Sequence, residues 1–251
     1  MKTKLDWDYT RLADAYVYRP AYAQAAIDEL MATVGLDAGA PVIDLGAGTG
    51  HLTVELAARG LDVLSLEPND RMRAHGVQRT ASTPNVRWVD ALMEDTGLAS
   101  DAFALTSYGS CFGVADAQAT LRESSRLLRD GGWFACMWNH RQLDDPLQQE
   151  IETYIRGEIA DYRYGSRRED QSAVIQASGL FGDVRQAQAP VLHTVPALAW
   201  MEAWKSHATL QRQAGDRFEE IVAGIGRIVA ATDSDDIVVP YTTRMWMAPR
   251  R

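Results

Sequence analysis

The run Val42-Ile43-Asp44-Leu45-Gly46-Ala47-Gly48-Thr49-Gly50 constrains this chain more than any other stretch of it. Its apolar residues read as a buried strand, and three glycines at alternate positions follow at once. Glycine reaches positive φ without a Cβ penalty and lets another group approach the backbone closely. The pattern then turns helical, because residues 51 to 59 carry Leu52 and Leu56 at i, i+4 and stop at Gly60. A strand that passes through such a loop into a helix is half of a βα unit. The loop N–H groups and the helix N-terminus then face the crevice at the sheet's carboxyl edge, where open α/β sheets bind ligands.

The rest of the chain repeats the alternation. Short apolar runs predict strands at 41 to 45, 62 to 66, 86 to 89, 102 to 107 and 132 to 138, with two more near 184 to 193 and 236 to 247. A second legible helix, 116 to 129, carries Leu121 and Leu128 and is expected to stop at Gly131 and Gly132. Further helices are expected near 145 to 160, 168 to 178, 197 to 213 and 216 to 231. The last two interrupt a terminal antiparallel pair and are candidate lid or substrate elements. About forty residues precede the first strand, mostly helical around Pro20, with Leu12, Tyr16, Ala26, Leu30 and Val34 as apolar positions. The alternation predicts an α/β fold with a mostly parallel sheet.

A length of 251 residues suits one domain. It divides into an N-terminal helical cover (1–40), a ligand-binding core (41–138), substrate-side helices with a strand (139–235) and a last strand (236–247). The formal net charge of -9 lacks the basic footprint by which proteins neutralise nucleic-acid phosphates, so no nucleic-acid partner is expected. No apolar run approaches the roughly 20 residues that span a bilayer, so no membrane partner is expected. The opening MKTKLDWDYT has acids and aromatics in place of an apolar signal segment, and a cytoplasmic location follows as the default. Cys111 and Cys136 show no CxxC or nearby histidine spacing of a zinc site, which argues against structural zinc and a disulfide framework. They read as buried small hydrophobes, and no metal site is expected.

Glu67 closes the second strand 21 positions after Gly46. A carboxylate there can accept hydrogen bonds from both hydroxyls of a ribose, so the two features together specify a nucleoside. A dinucleotide fingerprint would read G-x-G-x-x-G/A, with a small third residue and an open helix N-terminus for a pyrophosphate. Here the pattern is G-x-G-x-G, and His51 stands where the small residue belongs.

The run VIDLGAGTG with Glu67-Pro68 behind it resembles motif I and the acidic loop of the class I S-adenosylmethionine-dependent methyltransferases, of the small-molecule, type 11 methyltransferase-domain kind. The resemblance covers about residues 1 to 195. It implies a doubly wound, seven-stranded Rossmann-like sheet with helical N-terminal and C-terminal lid elements, and S-adenosylmethionine as cofactor. On that likeness Asp44, Gly46, Ala47 and Gly48 form the cofactor loop. Ala15-Tyr16-Val17-Tyr18-Arg19-Pro20-Ala21-Tyr22 is similar to the family's Y-x-x-R-P-x-Y block, in which Tyr16 and Arg19 would close over the cofactor's amino-acid end. The same tyrosines also read as half-buried helix packing. Glu67-Pro68-Asn69-Asp70-Arg71-Met72 is similar to an E-P-x-x-x-M run, with Met72 beside the adenine or ribose. The adenine N6 contact is left open among Asp90, Met93 through its backbone, and Glu94. Ser107 to Phe112 lies where the fourth strand would pass under the sulfonium. Leu127 to Phe134 resembles an L-x-P-G-G turn, with Asp130 in place of the usual proline.

Methyl transfer needs position and field more than chemistry from the protein. A general base is required only when the acceptor arrives protonated. The candidate is His140, which follows the fifth strand at the same edge as the glycine loop; a satisfied structural histidine is the competing reading. His51 is expected to cap or line the cofactor cleft, whereas His75, His193 and His207 read as surface or packing residues. Asp144-Asp145-Pro146 reads as a turn and helix start. The run Tyr162 to Asp170 clusters guanidinium and aromatic groups on the substrate side, and it reads either as a solvated charge run or as a binder of a carboxylate or phosphate on the acceptor. Trp200, Met201 and Trp204 suit either core packing or a lid. The expectation is S-adenosylmethionine-dependent transfer to a small-molecule acceptor, in biosynthetic or natural-product metabolism, with a homodimer as an option. The alternatives are a cofactor-binding protein that transfers no methyl (cyclase, assembly or regulatory partner) and, less favoured because of His51, an NAD-dependent oxidoreductase.

Overall fold

The polypeptide switches direction across its sheet immediately beside the glycine loop, and this topology places the site. The computed structural model describes residues 9–251, with Ser166 described by its backbone alone; most of the opening segment read for a signal lies outside the described residues. Helices α1 (Ala13–Tyr16) and α2 (Gln24–Val34) precede β1 (Pro41–Leu45) and α3 (His51–Ala58). There follow β2 (Asp62–Leu66), α4 (Asp70–Arg79), β3 (Val86–Val89), β4 (Phe103–Gly109), α5 (Ala117–Leu127) and β5 (Leu128–Arg141). Beyond these come α6 (Pro146–Glu158), a 3-10 turn (Gly165–Arg168), α7 (Ser172–Ala177), β6 (Arg185–Pro196), α8 (Ala197–Lys205), α9 (Ala208–Ala214), a second 3-10 turn (Gly215–Arg217), α10 (Phe218–Ala230) and β7 (Asp236–Pro249).

The strands form one 7-stranded sheet in the order β3-β2-β1-β4-β5-β7-β6. β1 pairs in parallel with β2 on one side and β4 on the other, while β7 runs antiparallel to both β5 and β6. The chain therefore moves outward from β1 to β3, then returns to start again at β4. Adjacent crossovers leave β1 and β4 in opposite directions and open a crevice at their carboxyl ends.

Side chains alternate across the pleat. Ile43, Leu45 and Phe134 join one core with Tyr108, Phe112 and Trp246, whereas Val42, Leu105 and Ala135 join another with Ile27, Leu30 and Leu56 from α2 and α3. The parallel strands are thus buried on both faces, which explains their nearly unbroken apolar runs. A third core gathers Ile151 and Ile155 of α6, Trp200 and Trp204 of α8, and Ile221 and Ile225 of α10 over the far ends of β6 and β7. Burial of each such side chain contributes roughly 1.5–3 kcal/mol, so these C-terminal helices have a core of their own.

The structure alters several expected boundaries. The helix read as 116 to 129 ends at Leu127, because Leu128 pairs with Phe103 and begins β5; Gly131 and Gly132 lie within that strand's course and do not stop the helix. The fifth strand continues to Arg141 because β7 pairs with it as far as Tyr241. The helix read as 197 to 213 is two helices. His207 breaks it by capping α9, its Nδ1 accepting from the Leu210 N–H at 3.2 Å. The helix near 168 to 178 shortens to α7 behind a 3-10 turn, and the described part of the N-terminal cover is helical only over α1 and α2. At the start of α6, Asp145 accepts from the Gln148 N–H at 3.1 Å with Pro146 in the first turn, as the sequence indicated.

Candidate active site

The glycine loop adopts the conformation that its composition requires. Gly46, Gly48 and Gly50 have φ of 66°, 57° and 82°. A Cβ at Gly46 would also stand 2.8 Å from Cys111 Sγ, so that position is fixed by contact as well as by φ. Glu67, at the end of β2, reaches back to this loop: its Oε2 accepts from the Gly48 N–H at 2.9 Å and its Oε1 from the Asn69 N–H at 2.8 Å. Burial pushes the Glu67 carboxyl above the usual carboxylate range, opposed by those two backbone donors. A carboxylate offers about four lone-pair positions, so two acceptor positions remain on a side chain in the cavity wall. This donor and acceptor pattern fits the paired hydroxyls of a ribose.

One continuous cavity runs from this loop to the third core. Of the residues nominated for the cofactor, Tyr16 and Arg19 line it from the N-terminal cover, Gly46, Ala47 and Gly48 from the loop, and Glu67, Pro68 and Met72 from the β2–α4 connection. Met93 also lines it, whereas Asp90 and Glu94 do not, so Met93 is the one of the three adenine candidates that faces the cavity. Asp90 lies 3.7 Å from the Arg73 guanidinium.

Asp44 and Ser107 are likewise not brought to the cavity; they support the loop from beneath. Asp44 is fully buried, and its carboxylate accepts from Thr53 Oγ1 at 2.7 Å and from Ser107 Oγ at 3.4 Å, tying β1 to α3 and β4. Burial raises its pKa to about 7. The end of β4 that does reach the cavity is Gly109 with Ser110 and Cys111. Ser110 bonds the Tyr22 hydroxyl at 3.0 Å, and the Cys111 thiol donates to the Leu45 carbonyl at 3.0 Å.

His51 lines the cavity and is held between Thr49 Oγ1, 3.0 Å from Nδ1, and Arg79, 3.3 Å from Nε2. Burial, and then the Arg79 and Arg19 charges, lower its pKa to about 3. Arg19 donates from Nε to Ser206 Oγ at 2.6 Å and from Nη2 to the Ser206 carbonyl at 2.8 Å. It thereby joins the N-terminal cover to the α8–α9 junction, a role that the sequence did not indicate.

His140 also lines the cavity. Its Nε2 meets the Arg167 carbonyl at 2.9 Å, a contact that requires Nε2 to carry the proton and leaves Nδ1 as the basic nitrogen. Burial, and then the Arg168 charge, lower its pKa to about 4. Next to it the buried Arg141 donates to Gln148 Oε1 at 2.7 Å and to Glu152 Oε1 at 3.1 Å, and its guanidinium lies 4.4 Å from the centre of the Trp204 ring. The Tyr164 hydroxyl also donates to Glu152.

His207 packs, as one of its two sequence readings had it, and it also lines the cavity, which the sequence did not indicate. It is buried, stacks on Trp204 with ring centres 5.3 Å apart, and has a pKa well below the ordinary value through burial and the Arg167 charge. No local pattern marks its cavity position, because that is set by the packing of α8 against α10, α1 and the β6–β7 pair and of α9 against α10. Trp200 and Trp204 belong to the third core, as the packing reading had it, and also line the cavity.

Residues 43–136 match the family described as a methyltransferase domain. An uncharacterized methyltransferase of Mycobacterium bovis is 34% identical over 123 residues, 49% of this chain and 48% of that protein. A ubiquinone/menaquinone biosynthesis C-methyltransferase of Vibrio campbellii is 28% identical over 132 residues, 48% of this chain and 49% of that protein. The match thus spans about half the length of these curated relatives. A chain assigned as a type II methyltransferase from Anaeromyxobacter dehalogenans superposes with a TM-score of 0.68 at 19% identity, over 93% of this chain and 97% of the other, and shares the fold. The glycine loop, the acid at the end of β2 and the sheet order thus lie on one scaffold, whose residues 43–136 match the methyltransferase-domain family and whose fold is that of a class I S-adenosylmethionine-dependent methyltransferase.

Proposed function

We propose that the chain transfers the methyl group of S-adenosylmethionine to a small-molecule acceptor in a biosynthetic reaction. The observation that carries this reading is Glu67, a carboxylate anchored by the Gly48 and Asn69 amides in the wall of a cavity that continues into an aromatic chamber. When bound, S-adenosylmethionine supplies an already activated methyl on a sulfonium, so the protein's part is alignment and exclusion of water. Glu67 would hold the ribose hydroxyls, Met72 and Met93 would flank the adenosine, and Tyr16 would close over the amino-acid end. Arg19 retains Nη1 for the cofactor's carboxylate while its other donors hold Ser206.

His140 stands on the acceptor side, where Nδ1 is its candidate proton acceptor. Its low pKa makes it a weak base, suited to a proton that becomes acidic only as the new bond forms. The small-molecule reading accords with a net charge of -9 and a recessed cavity. The name of the Vibrio relative accords with a biosynthetic role.

Calorimetric titration with S-adenosylhomocysteine, followed by incubation with S-adenosylmethionine and a panel of small acceptors, tests the proposal. Saturable binding and formation of S-adenosylhomocysteine are expected; absence of binding would refute the assigned site. Binding without product across the panel would favour a cofactor-binding protein that transfers no methyl.

A further inference from the structure

The acceptor half of the cavity concentrates charge of one sign. Arg141, Arg167 and Arg168 line it, with the cofactor-side Arg19 close enough to act on Arg167, whereas Glu67 is the single acid among the described residues of the cavity wall. This reverses the balance of the whole chain, which holds 34 acidic and 25 basic residues. Adjacent guanidiniums in a partly dry site repel, and each one's partners show whether its charge is answered.

Arg141 is answered by Glu152 at 3.1 Å. The others are not: among the described residues no carboxylate lies within ion-pair distance of Arg19, Arg167 or Arg168. Arg19 is committed to Ser206. Arg168 donates one bond, to the Arg141 carbonyl at 3.1 Å, and rests 4.3 Å from the centre of the Tyr164 ring, with Arg167 at 5.1 Å from the same ring. Burial followed by the Arg19 charge lowers the Arg167 pKa to about 10, and burial lowers that of Arg168.

A second observation concerns what Arg167 faces. Its Nη2 lies 3.3 Å from His207 Nε2. His207 Nδ1 accepts from the Leu210 amide, so in the neutral ring the proton sits on Nε2. Two donors therefore converge on one point of the wall, and an oxygen acceptor there would serve both. The surrounding wall is aromatic, built from Trp138, Trp200, Trp204 and Tyr241, and among the described residues it offers no acid to an ammonium at that point.

Resting on the methyltransferase reading, we propose that the methyl acceptor is an organic anion, its carboxylate or phosphate seated on Arg167 and Arg168 beside His207 and its apolar body packed against Trp200 and Trp204. Arginine forks match both oxyanions in geometry. The Arg141–Glu152 pair and the Tyr164 hydroxyl hold the ring against which the two guanidiniums lie.

The test uses the full chain saturated with S-adenosylhomocysteine and titrated calorimetrically with benzoate, indole-3-acetate, phenyl phosphate, the neutral benzamide and cationic benzylamine. At least one anion is expected to bind about tenfold or more tightly than both benzamide and benzylamine, and the carboxylate and phosphate arms separate the two oxyanions. Arg167→Gln with Arg168→Gln should abolish that preference while S-adenosylhomocysteine affinity is retained, which also reports correct folding. Arg167→Lys alone should weaken anion binding to an intermediate degree and serves if the double variant does not fold. Binding of benzamide or benzylamine equal to that of the anions, no anion binding to the loaded wild type, or a preference that survives substitution would each overturn the proposal. Failure of S-adenosylhomocysteine itself to bind would instead refute the reading on which this one rests.

Discussion

The backbone N–H of Gly48 donates to Glu67 Oε2 at 2.9 Å, so the acid that would hold a ribose also fixes the shape of the loop that the ribose would lie on. The two strand ends are set as one unit before any ligand arrives, and pre-organisation of this kind lowers the ordering cost of binding.

Glu67→Gln should therefore act twice. The amide keeps the size of the side chain but presents a donor to one of two backbone N–H groups, Gly48 or Asn69, which leaves a buried mismatch of roughly 1–3 kcal/mol. S-adenosylhomocysteine affinity should fall by about tenfold or more in calorimetry, with a lowered but still cooperative thermal transition. Unchanged affinity would remove Glu67 from the site.

The Arg141–Glu152 pair, both residues less than a tenth exposed, gives a second test. Glu152→Ala leaves a buried guanidinium with Gln148 and the Tyr164 hydroxyl as its uncharged side-chain partners, and removing one member of such a pair typically costs about 3–5 kcal/mol. Replacing both together, Arg141→Met with Glu152→Leu, should restore much of the stability, because the uncompensated charge goes with its partner. Denaturant midpoints of the three proteins decide it; a double variant no better than Glu152→Ala would show that the pair contributes more than mutual compensation.

Arg19 latches the N-terminal cover to the α8–α9 junction through Ser206. Arg19→Gln should loosen that junction and speed amide exchange across residues 197 to 214, with little change in the β1–β4 core. Exchange monitored by mass spectrometry reads this directly, and identical protection in the variant would exclude the latch.

For His140 the sign of the pH effect follows from a pKa lowered from 6.5 to about 4 in the fold. Above pH 6.5 the ring is neutral in folded and unfolded chains alike. Between 6.5 and about 4 the unfolded chain binds a proton that the folded one does not, so the contribution to stability is lost as pH falls, by at most about 3 kcal/mol. Asp44, raised to about 7, contributes in the opposite sense, being most favourable at low pH. The clean readout is thus the difference between wild type and His140→Gln, whose amide can still donate to the Arg167 carbonyl; melting temperatures should diverge in the variant's favour below pH 6.5. In turnover, a positioning role predicts that Gln rescues most of what Ala loses, whereas a general base predicts that both variants fail equally.

The cofactor half of this site was legible because it is built from consecutive residues. A buried strand, a run of glycines and a strand-ending acid act through backbone conformation and short reach, and Gly46, Gly48 and Glu67 lie where that local chemistry indicates. Asp44 shows the limit even there: its position two residues before Gly46 was plain, but burial beneath Thr53 and Ser107 could not be told from exposure to a ligand.

At the other end of the cavity His140 and the Tyr162–Asp170 run could be named, but their meeting with Arg19 and His207 was not legible, since these residues are separated by long stretches of chain and come together only through tertiary packing. The sequence by itself determined the alternating α/β scaffold and the nucleoside-binding edge, because strand burial and glycine conformation are local properties. Only the tertiary structure decided which side chains face one another across the cavity, because charge, burial and hydrogen-bond partners at that end come from residues that no short pattern connects.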